Sequence, residues 1–266
     1  ADDGLVVTIG YLITEAESLW ITTSDGVTVP GHVVGYDQET GFGLVQALQP
    51  MGTPSMALGD SGAVQVSDEL IAAAYGGLEQ AIKTVLTAKR EFAGYWEYVL
   101  DEALFITPSH ASWGGAALIG EDGKLLGIGS LLVQQIGESG EQSGANMIIP
   151  IDLLKPVLDD LRMYGKRNAP PRPWLGFLVQ EVSHHLVVSG IYDGCPAERA
   201  GLQVGDIIRE VDSDPVSGLA NLFRRIWRSG HAGVDVPLTI MRNRESNTVT
   251  VRSIDRNDSL KSASIH

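Results

Sequence analysis

His110-Ala111-Ser112-Trp113-Gly114-Gly115-Ala116-Ala117-Leu118 is a run of mostly small residues, and Asp122-Gly123-Lys124-Leu125-Leu126-Gly127-Ile128 follows it closely. An Asp-Gly pair between apolar runs marks a tight hairpin turn. The stretch therefore predicts a small-residue turn feeding a hairpin whose second strand ends in Leu126-Gly127-Ile128-Gly129. His110 and Ser112 are two residues apart on one loop. A nucleophilic serine needs its base brought from another segment and oriented by a third group, so this pair is expected to be a polar loop without chemistry.

Upstream, Leu5–Ile9, Ser18–Thr23 and Val27–Val29 are β-branched or apolar runs, the last two separated by Asp25-Gly26. Gly31–Val45, Ala57-Leu58-Gly59-Asp60-Ser61 and Leu70–Tyr75 continue a pattern of dense short strands, which argues for an all-β barrel or sandwich. Lys83–Lys89 and Trp96–Leu100 read as further strands. Asp152 is an expected N-cap for a helix carrying Leu153, Leu154, Val157, Leu158 and Leu161 down to Tyr164. Three prolines in Asn168-Ala169-Pro170-Pro171-Arg172-Pro173 resist helix and central strand and predict a stiff linker. Beyond it, Trp174-Leu175-Gly176-Phe177 opens a strand. Gly194–Ile208 and Val211–Val216 are turn-rich, and Leu219–Ser229 is an amphipathic helix with Leu222, Phe223, Ile226 and Trp227 on one side.

Charge and composition exclude several classes. The chain of 266 residues carries a formal charge of -14, concentrated before the linker: residues 1–168 hold 22 acidic and 8 basic side chains, and residues 169–266 hold 11 of each. Such a first part repels phosphate backbones, so nucleic acid is not an expected partner. No apolar run is long enough to span a membrane. Cys195 is the single cysteine, which rules out an internal disulfide and a zinc cluster, and no cofactor or metal is implied. Cys195 itself is expected to be a buried, unreactive thiol. His184-His185 would point to opposite strand faces and make a poor metal pair, and Arg224, Arg225 and Arg228 form a basic helix face expected to be solvated.

Both halves resemble one family. The stretch at Gly114 resembles the nucleophile turn of trypsin-like serine proteases of the HtrA/DegP type, and Val34-Gly35-Tyr36-Asp37-Gln38-Glu39-Thr40 and Leu58-Gly59-Asp60-Ser61 resemble further landmarks in the same order. Trp174–Phe177, Pro196-Ala197-Glu198-Arg199-Ala200-Gly201-Leu202 and Gly205-Asp206-Ile207-Ile208 resemble a PDZ domain of bacterial proteases. The resemblance implies a mainly β fold: a trypsin-like double β-barrel over residues 1–167, a linker at 168–173, an α+β PDZ domain at 174–256 and a tail at 257–266. It covers nearly all of residues 3–256. The family usually has further strands before Asp3-Gly4, so the expectation is either a fragment or an incomplete first barrel. Homo-oligomerisation is left open, because the family often trimerises through that upstream region.

In this register the family's serine falls on Gly114, its histidine on Tyr11 and its aspartate on Gly41. No triad member is therefore expected intact. Glycine supplies no nucleophile, and tyrosine, with an ordinary pKa of about 10, is a poor base near neutral pH. Backbone amides around Trp113-Gly114-Gly115 could still form an oxyanion hole. His32, in His32-Val33-Val34, mimics the family's histidine tripeptide but follows Asp25-Gly26 and is expected to be an exposed strand-edge side chain. For the PDZ part, Leu175, Gly176 and Phe177 are expected to donate backbone N–H groups to a peptide's terminal carboxylate, with Leu175, Phe177, Leu222 and Ile226 lining a pocket for its last side chain. The expectation is thus a binding protein rather than an enzyme. It would capture peptide or protein C-termini and unfolded polypeptide, in an extracytoplasmic, periplasmic setting and in envelope quality control. An active serine endopeptidase with a displaced triad, using His32 or His110 with Ser112, is the alternative.

Overall fold

The structure, a computed structural model, describes residues 4–136 and 142–260. The chain forms two compact units. One holds the residues up to Glu91 together with Asp101–Asn168; the other holds Phe92–Leu100 and the residues from Ala169 onward.

In the first unit, β1 (Leu5–Ile9), β2 (Leu19–Thr22), β3 (Thr28–Tyr36) and β4 (Phe42–Ala47) form an antiparallel sheet in the order β1-β4-β3-β2. Their apolar residues alternate or run together, as strands with one or two covered faces require; Phe42, Leu44 and Val45 of β4 are buried. The next six strands, β5 (Glu69–Ala73), β6 (Ile82–Gly94), β7 (Tyr98–Thr107), β8 (Ala117–Ile119), β9 (Leu125–Ile136) and β10 (Gln142–Pro150), close a barrel in the order β10-β7-β6-β5-β8-β9. Leu70, Leu86, Leu104, Ile106, Leu118 and Ile148 fill it. Among the described residues only the second half closes into a barrel; the first is an open four-stranded sheet.

Two local expectations are corrected here. Trp96 and Glu97 lie in the turn between β6 and β7, so the strand begins at Tyr98 rather than at Trp96. Asp152 caps no helix: its Oδ2 accepts from Ser61 Oγ at 2.8 Å and from Gly62 N at 2.9 Å. Pro156, which lacks an N–H and crowds the preceding turn, holds the chain to a short 3-10 turn at Ile151–Leu153 before helix α1 (Leu158–Tyr164).

In the second unit, β11 (Phe177–Val182), β12 (His185–Ile191), α2 (Pro196–Arg199), β13 (Ile207–Val211), β14 (Asp214–Pro215), α3 (Leu219–Arg228), β15 (Asp235–Arg242) and β16 (Glu245–Arg252) make a sheet in the order β11-β12-β13-β15-β16, with β14 paired to β13. Leu222, Phe223 and Ile226 turn the apolar side of α3 into the core beside Leu175, Phe177, Val236 and Leu238. Ser183 and His184 both have positive φ and form the β11–β12 turn. The two histidines are therefore not on opposite faces of one strand: His184 sits in the turn and His185 opens β12.

Candidate functional site

Tyr11 sits in a single 3-10 turn, Gly10–Leu12, at the end of β1. The Gly10 N–H donates to the Gly41 carbonyl at 2.8 Å, which sets that turn against the loop before β4. The loop is held by Asp37, which is buried. Its Oδ2 accepts from Thr40 N at 3.2 Å and Thr40 Oγ1 at 2.6 Å, and Arg167 pairs with both its oxygens at 2.8–3.1 Å. Gly114 lies on the other side of Tyr11: a Cβ at Gly114 would stand 3.1 Å from the Tyr11 Oη. The chain thus brings the segments carrying Tyr11, Gly41 and Gly114 to one place.

The Tyr11 hydroxyl donates to the Ser130 carbonyl at 2.5 Å, and burial raises its pKa above the ordinary tyrosine value despite a hydrogen bond involving Trp113. It is a committed donor and cannot accept a proton near neutral pH. The amides in the loop are partly spent as well. Gly115 N–H donates to the Gly129 carbonyl at 2.9 Å, and Ser112 N–H donates to His110 Nδ1 at 3.0 Å.

His110 is buried and used on both ring nitrogens. Its Nδ1 accepts from Ser112 N–H, and its Nε2 lies 3.0 Å from the Gln80 carbonyl, which can only accept. Nε2 is therefore the donor, and both ring nitrogens are engaged by backbone groups rather than by the Ser112 hydroxyl. The Asn146 amide group completes the arrangement, its Oδ1 accepting from His110 N at 2.6 Å. His32 is exposed on β3 opposite Gln46, just past the last residue paired to β2.

The second site is the loop before β11. Gly176 has φ of 85°, and a Cβ there would fall 2.5 Å from the Cys195 Cβ, so no other residue fits without displacing the loop. Cys195 is buried, as its residue type suggests. It also has work that the sequence did not disclose: its Sγ donates to the Gly176 carbonyl at 3.1 Å and accepts from Glu198 N at 3.4 Å, capping α2. Tyr192 N–H also donates to the Gly176 carbonyl, at 3.0 Å.

With its carbonyl fixed from behind, the loop points two amides at one carboxylate, that of Glu97. Gly176 N–H donates to Oε1 at 2.8 Å, and Leu175 N lies 3.3 Å and 3.2 Å from the two oxygens. Glu97 is 9% exposed. Burial pushes its carboxyl up to about 7, opposed by the amides of Gly176 and Leu175 and by the charge of Arg256. Leu175, Phe177, Leu222 and Ile226 are fully buried in one apolar cluster that also holds Val99. Arg225 of the basic helix face pairs with Asp214 at 2.5 Å. Among the described residues no group of three or more His, Cys, Asp or Glu side chains is placed to hold a metal.

Comparison with known proteins gives a domain match for each part of the chain. The family description "Trypsin-like peptidase domain" matches residues 1–128, and "PDZ domain" matches residues 173–252. The chain belongs to the HtrA/DegP-type family of trypsin-like, PDZ-bearing proteins. It is 30% identical over 99% of its length to a probable periplasmic serine endoprotease, DegP-like, of Halomonas elongata, of which it covers 56%. It is 28% identical over 97% of its length to a protein of the same name from Pseudomonas putida, covering 55% of that protein. The chain thus spans about half the length of these curated HtrA/DegP relatives. The solved structure of the HtrA-type protease AlgW with decapeptide superposes with a TM-score of 0.58 at 21% identity, covering 98% of this chain and 81% of that one. That likeness shows the shared HtrA fold. The relatives' names correct one expectation, that of a binding protein rather than an enzyme: the HtrA/DegP proteins matched along nearly the whole chain are named serine endoproteases. No helix among the described residues is long and apolar enough to cross a membrane.

Proposed function

We propose that this chain binds polypeptide in the periplasm, capturing chains by their free C-termini through the Leu175–Phe177 loop and serving envelope protein quality control. The observation that carries this is the Glu97 carboxylate on the Gly176 and Leu175 amides, 2.8–3.3 Å away: the loop is built to receive a carboxylate. The AlgW structures with a decapeptide and with a tripeptide, and the periplasmic naming of the relatives, support it. The expected pocket residues Leu175, Phe177, Leu222 and Ile226 are closed over in one apolar cluster that includes Val99, so an apolar last residue taking the place of Val99 is preferred. In the first unit we read Tyr11, Gly41 and Gly114 as standing at the triad positions of the family.

Serine endopeptidase activity is the second reading, favoured by the relatives' names. In this chain it requires a nucleophile and a base from outside those three positions. Mass spectrometry after exposure to a fluorophosphonate identifies any such serine by the adduct it carries.

Capture by the C-terminus is tested by calorimetry with one peptide ending in Val, as free acid and as amide. The free acid is expected to bind with modest affinity, because a few main-chain hydrogen bonds and one buried side chain must offset the ordering of the peptide. Amidation removes the charge that the amides receive and is expected to abolish measurable binding. Equal binding of both forms would contradict carboxylate capture.

A further inference from the structure

The carboxylate on the loop belongs to the chain itself. Glu97 stands 78 residues before Leu175, at the tip of the β6–β7 hairpin, and Phe92–Leu100 is part of the second compact unit. The contact extends along the strand edge: Val179 N–H of β11 donates to the Tyr95 carbonyl at 2.9 Å, two residues before Glu97. An end carboxylate on the loop amides, with a carbonyl two residues upstream on the β11 edge, is how an added peptide strand would be held. Val99 and Ala93, on either side of the tip, pack into the cluster of Leu175, Phe177, Leu222 and Ile226.

The tip is shaped for this. Glu97 has φ of 61°, a left-handed conformation that a glutamate adopts only when its surroundings impose it. Trp96 stacks on Tyr98 with centroids 5.8 Å apart and planes 13° apart, and Tyr95 and Phe92 meet Trp96 edge-on or tilted at 4.8 Å and 6.2 Å. These rings brace the turn that presents the carboxylate.

We infer that the Phe92–Leu100 hairpin is a built-in competitor for the carboxylate loop, with the Glu97 side chain standing in for a peptide C-terminus. Polypeptide ending in a free carboxylate therefore binds only by displacing it. This rests on the proposal that the loop captures C-termini. A tethered ligand faces its site at an effective concentration on the order of millimolar, so a free peptide of modest affinity is outcompeted at micromolar concentration.

The test is calorimetry of the full chain with the Val-ending peptide as free acid and as amide, in the unaltered protein and in Glu97→Ala. The variant is expected to bind the free acid at least about ten-fold more tightly than the unaltered protein does, and neither to bind the amide. Equal affinity of the two proteins for the free acid overturns the competitor while leaving C-terminal capture intact. Failure of the free acid to bind either protein, or equal binding of the amide, overturns capture and the competitor together. Glu97→Gln, which keeps the side chain's size and one acceptor oxygen, is the second variant should the alanine protein fail to fold; its affinity is expected between the other two, and equality with the unaltered protein counts against the competitor. Backbone hydrogen exchange at Gly176 gives an independent readout: protection in the unaltered protein, loss in Glu97→Ala and recovery when the free acid is added. Unchanged protection in the variant would overturn the inference.

Discussion

The affinity of the unaltered protein for a free-acid peptide, relative to that of Glu97→Ala, is expected to fall steeply between pH 8 and pH 5. The sign follows from Glu97. Docked, its carboxyl titrates near 7; released into water it returns to its ordinary value near 4.5. The docked form therefore holds its proton more tightly, so docking is favoured as pH falls from about 7 toward 4.5 and is weakened as pH rises through 7. A shift of that size changes the docking equilibrium by on the order of a hundred-fold across the window. The other groups facing Glu97 do not titrate there. The Tyr192 phenol, raised by burial, stays protonated. A free peptide's carboxyl, with a pKa of about 3.5, is ionised across this window, and once seated on the loop it meets the same surroundings in both proteins. Every ionisable group other than Glu97 is common to both proteins, so the difference between the two profiles isolates Glu97. Parallel profiles, or a steeper fall in the variant, would contradict the assignment.

The second large effect concerns the trypsin-like unit. Gly114→Ser alone is expected to change the rate of casein cleavage by less than about two-fold, whatever the starting rate, because a nucleophile without its base recovers almost none of a triad's contribution. The new hydroxyl would stand beside the Tyr11 Oη, a committed donor to the Ser130 carbonyl. If the three positions are those of the family's triad, as proposed, the triple variant Tyr11→His, Gly41→Asp, Gly114→Ser supplies nucleophile, base and orienting carboxylate. It is expected to exceed the single variant by about 10²-fold or more, measured on casein under the same conditions. Gly41 has φ of 84°, so an aspartate there costs about 1–2 kcal/mol of backbone strain and lowers the gain. A single variant as fast as the triple would mean that the base lies elsewhere and that Tyr11 is not at the base position.

Much of this was legible in the sequence because it is local. Strand runs bounded by Asp25-Gly26 and Asp122-Gly123, and the amphipathic helix at Leu219, are patterns of neighbouring residues. Trp174–Phe177 could be read as an amide-presenting loop only through its resemblance to a PDZ domain. What escaped was non-local or decided by one residue. Trp96–Leu100 alternates like a strand, yet bracing by Phe92, Tyr95 and Tyr98 around Trp96 turns the chain at Glu97. Nothing near Glu97 in sequence signals that its partner amides lie 78 and 79 residues away. The signal that could have raised suspicion is a lone acid in an aromatic turn, Tyr95-Trp96-Glu97-Tyr98. Pro156 interrupts the leucine periodicity of residues 153–161, and the helix begins only at Leu158. The commitment of His110 depends on Gln80 and Asn146, 30 and 36 residues away, and no spacing rule predicts it.

The most direct test of whether C-terminal peptides and Glu97 share one site is a two-dimensional amide NMR titration of the unaltered protein with the Val-ending free-acid peptide. As the peptide saturates, the Leu175 and Gly176 resonances should shift together with those of Tyr95, Trp96 and Glu97, the last three moving toward positions of an undocked turn, along one common binding curve. Saturation that moves Leu175 and Gly176 while Tyr95–Glu97 stay in place, or that moves neither group, would contradict it.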